Sequence, residues 1–143
     1  GAVRGGGAIT AVMTVLSETD DVDDPITEVM KSLLDGHIVL SRRVAEQGRY
    51  PAIDIPRSIS RLAGRVMTPH HRALAGQALA SLSAYDAART LIEAGVYAPG
   101  ANPETDTAIR QRPALEAFLG QDETRSSMSE TLGALQHAVG GGT

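Results

Sequence analysis

Residues Asp35–Arg61, DGHIVLSRRVAEQGRYPAIDIPRSISR, decide how the first half of the chain is expected to fold. The apolar run His37–Leu40 predicts a short strand, and Arg42–Gln47 predicts a short helix that ends at Gly48. Two prolines interrupt Tyr50–Ser60. Because proline disfavours helical geometry at its own position and at the preceding one, this part is expected to be extended or irregular.

The residues upstream of this stretch predict one more strand and a helix. Ala8–Leu16 is rich in β-branched and apolar residues, which is typical of a buried strand, and Ile26–Leu34 has apolar residues at helical spacing. Together with His37–Leu40 they are expected to form the closing βαβ part of an α/β core. We interpret the acidic cluster between them as a solvated loop, because it lacks the glycine and terminal glutamate of a calcium-binding loop; it comprises Glu18, Asp20, Asp21, Asp23 and Asp24.

The character of the sequence changes at Pro69, where helical periodicity takes over. A long helix is predicted from Pro69 to near Gly95, followed by helices over Pro103–Leu119 and roughly Glu123–Val139. One apolar stripe marks the long helix; it consists of Leu74, Ala78, Leu82, Tyr85 and Ile92. The predicted organisation is therefore an α/β part over residues 1–68 and a helical domain over residues 69–143.

Composition excludes several classes of protein. The 143 residues are 42% hydrophobic and 21% charged, which is typical of a globular domain, and no run approaches the roughly 18 apolar residues of a membrane span. There is no cysteine, so disulfides and thiol chemistry are excluded. The four histidines and the acids show no metal-ligand spacing, so no protein metal site is expected.

Positive charge is concentrated in one segment of an acidic chain. The segment from His37 to Arg65 contains only two acids, Glu46 and Asp54. It contains six arginines: Arg42, Arg43, Arg49, Arg57, Arg61 and Arg65. The chain as a whole has a net charge of −4. This concentration predicts an anionic ligand or an acidic partner, although a solvated basic loop stays open for Arg42, Arg43 and Arg49.

Several short motifs in a fixed order resemble one family. They are GAIT at 7–10, DDPIT at 23–27, YPAID at 50–54, SISR at 58–61 and GVYAPGANPETDTAIRQRPALEAFLGQ at 95–121. This series resembles the type III secretion ATPases, relatives of the F1 ATP synthase catalytic subunit, and most closely their flagellar branch. The resemblance covers about residues 7–121. It implies an α/β fold in which the end of a RecA-like, F1-type core is followed by an α-helical C-terminal domain.

The resemblance also implies roles for particular residues. Arg61 in SISR matches the family's arginine finger, and Tyr50 in YPAID matches the aromatic ring that stacks on adenine. A nucleotide bound between subunits needs a cation delivered to its γ-phosphate by the neighbour and a flat apolar surface for its base. Tyr50 would then serve its own subunit's ATP and Arg61 the adjacent subunit's. Without the family context, Arg61 is an ordinary surface or ion-pair residue and Tyr50 a loop anchor.

A second side of the adenine pocket is expected on the long helix. By resemblance and spacing, Tyr85, Ala88 and Leu91 fall at positions that would close the pocket. The alternative is that Tyr85 and Leu91 are simply core residues, and Leu91 departs from the aromatic residue of the F1 catalytic subunit.

The phosphate-binding part of such an ATPase is not among these residues. A P-loop needs the pattern G-x-x-x-x-G-K-[ST], and the only lysine, Lys31, lies in a helical pattern. In the family, the P-loop and the acid that holds magnesium lie upstream of GAIT. ATP and Mg²⁺ are therefore the implied cofactors, and the chain is expected to be an incomplete piece that is inactive alone.

The family resemblance implies a homohexameric ring that hydrolyses ATP at the base of a secretion apparatus, peripheral to the cytoplasmic face of the inner membrane. Expected partners are export chaperones, secreted substrates, stator or stalk proteins and a proton-driven gate, with no nucleic acid. The alternative is a non-enzymatic helical adaptor derived from such an ATPase. A noncatalytic F1-like subunit is a third possibility that Tyr50–Pro51, which resembles the catalytic type, disfavours.

Overall fold

The computed structural model describes residues 4–16, 25–121 and 124–140. In these ranges the chain forms six helices and two strands. It divides into two units, residues 1–34 and residues 35–143, and each is described by itself. Every described helix is too short or too polar to cross a lipid bilayer.

The first unit contains helix α1, Pro25–Leu33, which confirms the predicted helix. The buried strand predicted over Ala8–Leu16 is wrong: apart from an isolated bridge at Ala8 these residues have no regular structure, and Val12 and Leu16 are 94% and 92% exposed. A strand is stabilised by pairing with a neighbour, and no described strand pairs with this segment. The acidic cluster from Glu18 to Asp24 lies outside the described residues.

The second unit begins with an antiparallel pair of strands. Strand β1 is Gly36–Leu40, helix α2 is Arg42–Glu46 and strand β2 is Ile53–Ser60. These bounds confirm the predicted short strand, the short helix and the extended segment. The expected βαβ arrangement does not form among the described residues, because β1 pairs antiparallel with β2 and α1 follows no strand.

The pairing of β1 with β2 contains an irregularity that Pro56 explains. Val39 is opposite Asp54 while His37 is opposite Ile59, so β2 bulges out between them. Proline has no N–H for a ladder hydrogen bond and is tolerated at such a bulge. Ser58 closes the gap: its hydroxyl accepts from the Val39 N–H at 3.0 Å and donates to the Asp54 carbonyl at 2.7 Å.

Three long helices complete the second unit after a short helix, α3, Ala63–Val66. They are α4, Pro69–Glu93, α5, Pro103–Leu119, and α6, Met128–Val139. The first two match their predicted bounds closely, since each begins with a capping residue followed by proline. Helix α6 begins five residues later than expected, because Ser127 and Glu130 form a capping box that starts the helix there.

The core of the second unit lies between α4, α5 and α6. Its buried residues are Leu74, Ala78, Leu82, Leu115, Leu135, Ala138 and Val139. Ile55 from β2 packs against this core and joins the strand pair to the helices. Of the predicted stripe on α4, Leu74, Ala78 and Leu82 are buried, whereas Tyr85 and Ile92 are half-buried.

Candidate functional site

Tyr50 lies on the wall of an open groove between the loop that follows α2 and the end of α5. The groove has a volume of about 1140 Å³. Tyr50 itself is 61% exposed. The opposite wall comes from the last turn of α5, the segment after it and the first turns of α6; it includes Phe118, Leu119, Gln121, Thr124, Glu130 and Ala134.

The loop that carries Tyr50 is held in place by backbone and side-chain hydrogen bonds. The Gln121 N–H donates to the Tyr50 carbonyl at 2.9 Å, which fixes the loop to the residue just beyond α5. The Ile53 N–H donates to the Pro51 carbonyl at 2.8 Å, and the Arg49 guanidinium donates to the Ile53 carbonyl at 3.3 Å. The peptide bond between Tyr50 and Pro51 is cis.

The chemistry of this groove suits a flat, partly polar ligand. Tyr50, Phe118 and Leu119 offer aromatic and apolar surface, and the polar groups of Gln121 and Thr124 lie on the same wall. Ligand sites commonly combine apolar lining with a few polar groups that fix orientation. Phe118 and Leu119 belong to the 95–121 motif but were not predicted as site residues; the local signal for them is an aromatic residue in the last turn of a helix that ends at a glycine.

Arg61 lies at the far end of β2 from Tyr50. Its backbone N–H donates to the Asp35 carbonyl at 2.8 Å, which anchors the residue where the strand pair ends, and its side chain is exposed. Tyr50 precedes β2 and Arg61 follows it, so the structure does not bring the two into one site.

Tyr85, Ala88 and Leu91 lie on α4, and none of them lines the groove that holds Tyr50. The Arg112 guanidinium covers one face of the Tyr85 ring, 4.4 Å from its centre, and pairs with Glu116 at 2.6 Å. Tyr85 and Ala88 are half-buried, while Leu91 is 52% exposed. The groove thus gives no support to the α4 side of the expected base pocket, and that part stays a prediction.

The basic segment contains arginines with structural contacts. Arg43 lies on α2, 4.0 Å from the buried carboxylate of Asp54 and 3.7 Å from Asp86 on α4, so it has ion-pair partners although its side chain is half exposed. Within the described ranges, no three histidine or acidic side chains are grouped closely enough to hold a metal ion.

One carboxyl on the groove wall, that of Glu130, has a shifted pKa. The Ser127 hydroxyl and backbone N–H donate to the Glu130 carboxylate at 2.6 and 2.8 Å. These donors favour the charged form and hold the pKa of Glu130 below its ordinary value.

Two family models match consecutive parts of the chain. Residues 1–60 match the ATP synthase alpha/beta family, nucleotide-binding domain, and residues 67–137 match the T3SS EscN ATPase C-terminal domain. A flagellum-specific ATP synthase from Pseudomonas aeruginosa is 47% identical over 99% of this chain and 32% of its own length. A type 3 secretion system ATPase from Pseudomonas syringae is 47% identical over 81% of this chain and 26% of its own.

Solved structures that resemble the chain come from the same kind of ATPase. The assembled ATPase EscN from the enteropathogenic E. coli type III secretion system superposes with a TM-score of 0.87 at 41% identity, over 93% of this chain and 32% of that one. EscN in complex with its central stalk EscO matches with a TM-score of 0.75 at 38% identity, over 80% of this chain and 29% of that one. The chain spans about a third of the length of the relatives that it matches.

Proposed function

Because this chain belongs to the family of type III secretion ATPases, which includes the flagellum-specific ATP synthases, we propose that it forms part of an ATPase that energises protein export. In this proposal it supplies the base-binding groove and the arginine that completes a neighbouring site. Phosphate and Mg²⁺ are held by a part of the ATPase that is not among these residues.

The observation that carries the proposal is the placement of Tyr50. The ring lines an open groove whose opposite wall contains Phe118 and Leu119, and the Gln121 N–H holds the Tyr50 loop against that wall. Aromatic surface of this kind suits a purine base, which stacks with an offset on a flat ring. The base would rest on Tyr50, with the end of α5 as the second wall.

Arg61 serves a different nucleotide in this proposal. It lies exposed at the other end of β2, so a nucleotide in the Tyr50 groove is served by Tyr50 and not by Arg61 of the same subunit. In a ring of identical subunits, the guanidinium would reach the γ-phosphate bound by the adjacent subunit. A guanidinium supplied in trans stabilises the charge that develops during phosphoryl transfer.

The assembly and its partners follow from the family. We propose a homohexameric ring at the cytoplasmic face of the inner membrane. A stalk protein would bind it, as EscO binds EscN, and export chaperones with their substrates would dock on it before a proton-driven gate. The helical domain after Pro69 is the proposed docking part.

Substitution of Tyr50 in the complete ATPase tests the base-binding role. Tyr50→Ala is expected to raise the KM for ATP about ten-fold, equivalent to roughly 1–1.5 kcal/mol of aromatic stacking, with little change in kcat. Tyr50→Phe keeps the ring and is the matched control, expected to be nearly silent. An equal loss in both variants would assign the effect to the hydroxyl and overturn stacking.

A further inference from the structure

Two polar side-chain contacts join α2 and its C-cap residue to α4. Arg43 of α2 lies 3.7 Å from the Asp86 carboxylate of α4. The Gln47 amide, at the C-cap of α2, lies against Arg89 of α4; with its oxygen oriented toward the guanidinium, the orientation that satisfies both groups, it accepts from both terminal nitrogens of Arg89 at 3.0 and 2.9 Å. Gln47 is the C-cap residue of α2 and the first residue of the segment that leads to Tyr50.

The path from Gln47 to Tyr50 is short and internally bonded. The Gly48 N–H donates to the Ala45 carbonyl at 2.9 Å and the Arg49 N–H to the Val44 carbonyl at 3.4 Å, so both residues stay attached to α2. Gly48 has a φ of +76°, which a residue with a side chain rarely adopts, and this conformation sets the direction in which the chain leaves the helix. Two residues, both bonded to α2, therefore separate Gln47 from Tyr50.

The guanidinium of Arg89 contacts two partners. Its Nε donates to Glu93 at 2.6 Å, one turn farther along α4, while its two terminal nitrogens face Gln47. The Glu93 contact orients the planar group so that its outer edge meets the amide. A lysine ammonium has no such fork and cannot serve both partners in this geometry.

We propose that Arg89 is a positioning residue for Tyr50: through Gln47 it holds the base-stacking ring at its place on the groove wall. Helix α4 then contributes to the base site through this contact and not through a residue that lines the groove. The proposal rests on the proposed base-binding function of Tyr50.

The first test needs no nucleotide and uses the 143-residue chain. With ¹³C-labelled tyrosine rings, the signals of Tyr50, Tyr85 and Tyr97 are assigned from the three Tyr→Phe variants. Arg89→Ala and Gln47→Ala cut the same contact from opposite sides, so each is expected to shift the Tyr50 ring signals in the same direction. Arg110→Ala, which removes an exposed α5 guanidinium that donates to Thr107 one turn away, is the matched control and leaves them in place.

The two variants together distinguish positioning from a general effect on the helix. The double variant Arg89→Ala with Gln47→Ala is expected to shift Tyr50 no more than either single variant, because one contact is lost in all three. Tyr50 signals that stay in place in both single variants would overturn the proposal. A shift in Arg89→Ala alone would also overturn it, since the effect would then run through α4 and not through Gln47.

The functional test uses the complete ATPase. Arg89→Ala and Gln47→Ala are each expected to raise the KM for ATP about three-fold or more with kcat retained, and Arg89→Lys to recover only part of the loss. In a Tyr50→Ala background, Arg89→Ala is expected to have no further effect on KM. Full additivity of the two substitutions would overturn the positioning role.

An ATP titration separates this inference from the proposed function. In the unmodified chain, ATP is expected to shift the Tyr50 signals at millimolar concentration, whereas inorganic triphosphate does not. Should ATP leave Tyr50 unchanged while Arg89→Ala and Gln47→Ala still move its signals, the base-binding role of Tyr50 would fail and the mechanical link from Arg89 to Tyr50 would be supported.

Discussion

The backbone N–H of Gln121 donates to the carbonyl oxygen of Tyr50 across 2.9 Å. These residues are 71 positions apart in a chain of 143, and the bond joins the loop after α2 to the end of α5. This bond therefore joins the two walls of the groove next to Tyr50.

Removal of this single hydrogen bond is expected to weaken ATP binding. In Gln121→Pro the donor is lost, and Gly120, with φ −69° and ψ 135°, already has the conformation that a residue before proline prefers. The KM for ATP in the complete ATPase is expected to rise about three-fold, since one neutral hydrogen bond contributes roughly 0.5–1.5 kcal/mol. Gln121→Ala keeps the N–H and removes only the side-chain amide, so it is expected to raise the KM less than Gln121→Pro does; an equal rise in both variants would contradict this role of the bond.

Arg61→Ala in the complete ATPase is expected to lower kcat by about 10³-fold or more while ATP binding stays nearly intact, because a finger arginine acts on the transition state. Lysine is expected to rescue poorly, as it lacks the planar fork. Arg65→Ala removes the same charge four residues later, from the exposed face of α3, and serves as the control with nearly normal turnover.

Mixed rings test whether Arg61 acts in trans. Subunits with Arg61→Ala are combined with subunits whose P-loop lysine is inactivated, so that each type spoils a different side of the interface. Some interfaces then contain both intact groups, and part of the activity is expected to return. Rings shown to contain both subunits and yet inactive would remove the finger role from Arg61.

The 143-residue chain alone is expected to hydrolyse no ATP above background. It contains no P-loop pattern, so the amides and the lysine that hold the phosphates are missing from it. Base contacts without triphosphate contacts leave ATP affinity millimolar at best. Magnesium-dependent turnover by the purified chain, measured as phosphate release, would contradict this expectation.

Gly36 is expected to tolerate no side chain. A Cβ there would lie 2.6 Å from the Ile59 carbonyl oxygen, a backbone atom that cannot swing aside, so Gly36→Ala is expected to cost about 1–3 kcal/mol in the free energy of unfolding. Gly76→Ala is the matched control, because its Cβ meets nothing within 4 Å inside α4. That control is expected to stabilise by up to about 1 kcal/mol. Urea unfolding that leaves Gly36→Ala unchanged would refute the close approach.

The start of α6 is expected to depend on pH through Glu130. Its pKa is lowered in the folded chain because the Ser127 hydroxyl and N–H donate to the carboxylate. The stabilisation is therefore fully present above the ordinary glutamate pKa of about 4.3 and is lost as the pH falls through the lower folded value. Glu130→Gln and Ser127→Ala are expected to flatten the decline in unfolding free energy below about pH 5. A decline as steep as that of the unmodified chain would contradict the linkage.

Local sequence signals were sufficient for most of the helical half. Pro69 and Pro103 each follow a capping residue, and the helices begin at those prolines because capping and the fixed backbone angle of proline act within a few residues. The start of α6 was misplaced although Ser127 and Glu130 carry a capping signal, since helical periodicity alone does not locate a helix end.

The predicted strand over Ala8–Leu16 shows that a local sequence pattern does not determine whether a strand forms. Apolar and β-branched residues make a segment able to form a strand, but a strand exists only when a neighbour pairs with it, and no described strand does. The same limit applies to the base pocket. Spacing pointed to Tyr85, Ala88 and Leu91, whereas the groove beside Tyr50 is lined by the end of α5.

The sequence by itself determined the family, the short helix and strand around Tyr50, and the order of the helices, because motifs and caps depend on residues close together in the chain. Only the tertiary structure decided which distant groups lie around the Tyr50 loop. Gln121 reaches its carbonyl and Phe118 lines its groove because α5 packs on α4 and α6 around Leu115, and Arg89 reaches Gln47 because α2 lies beside α4. Contacts of this kind arise from the burial of apolar surface between helices, which no spacing along the chain specifies.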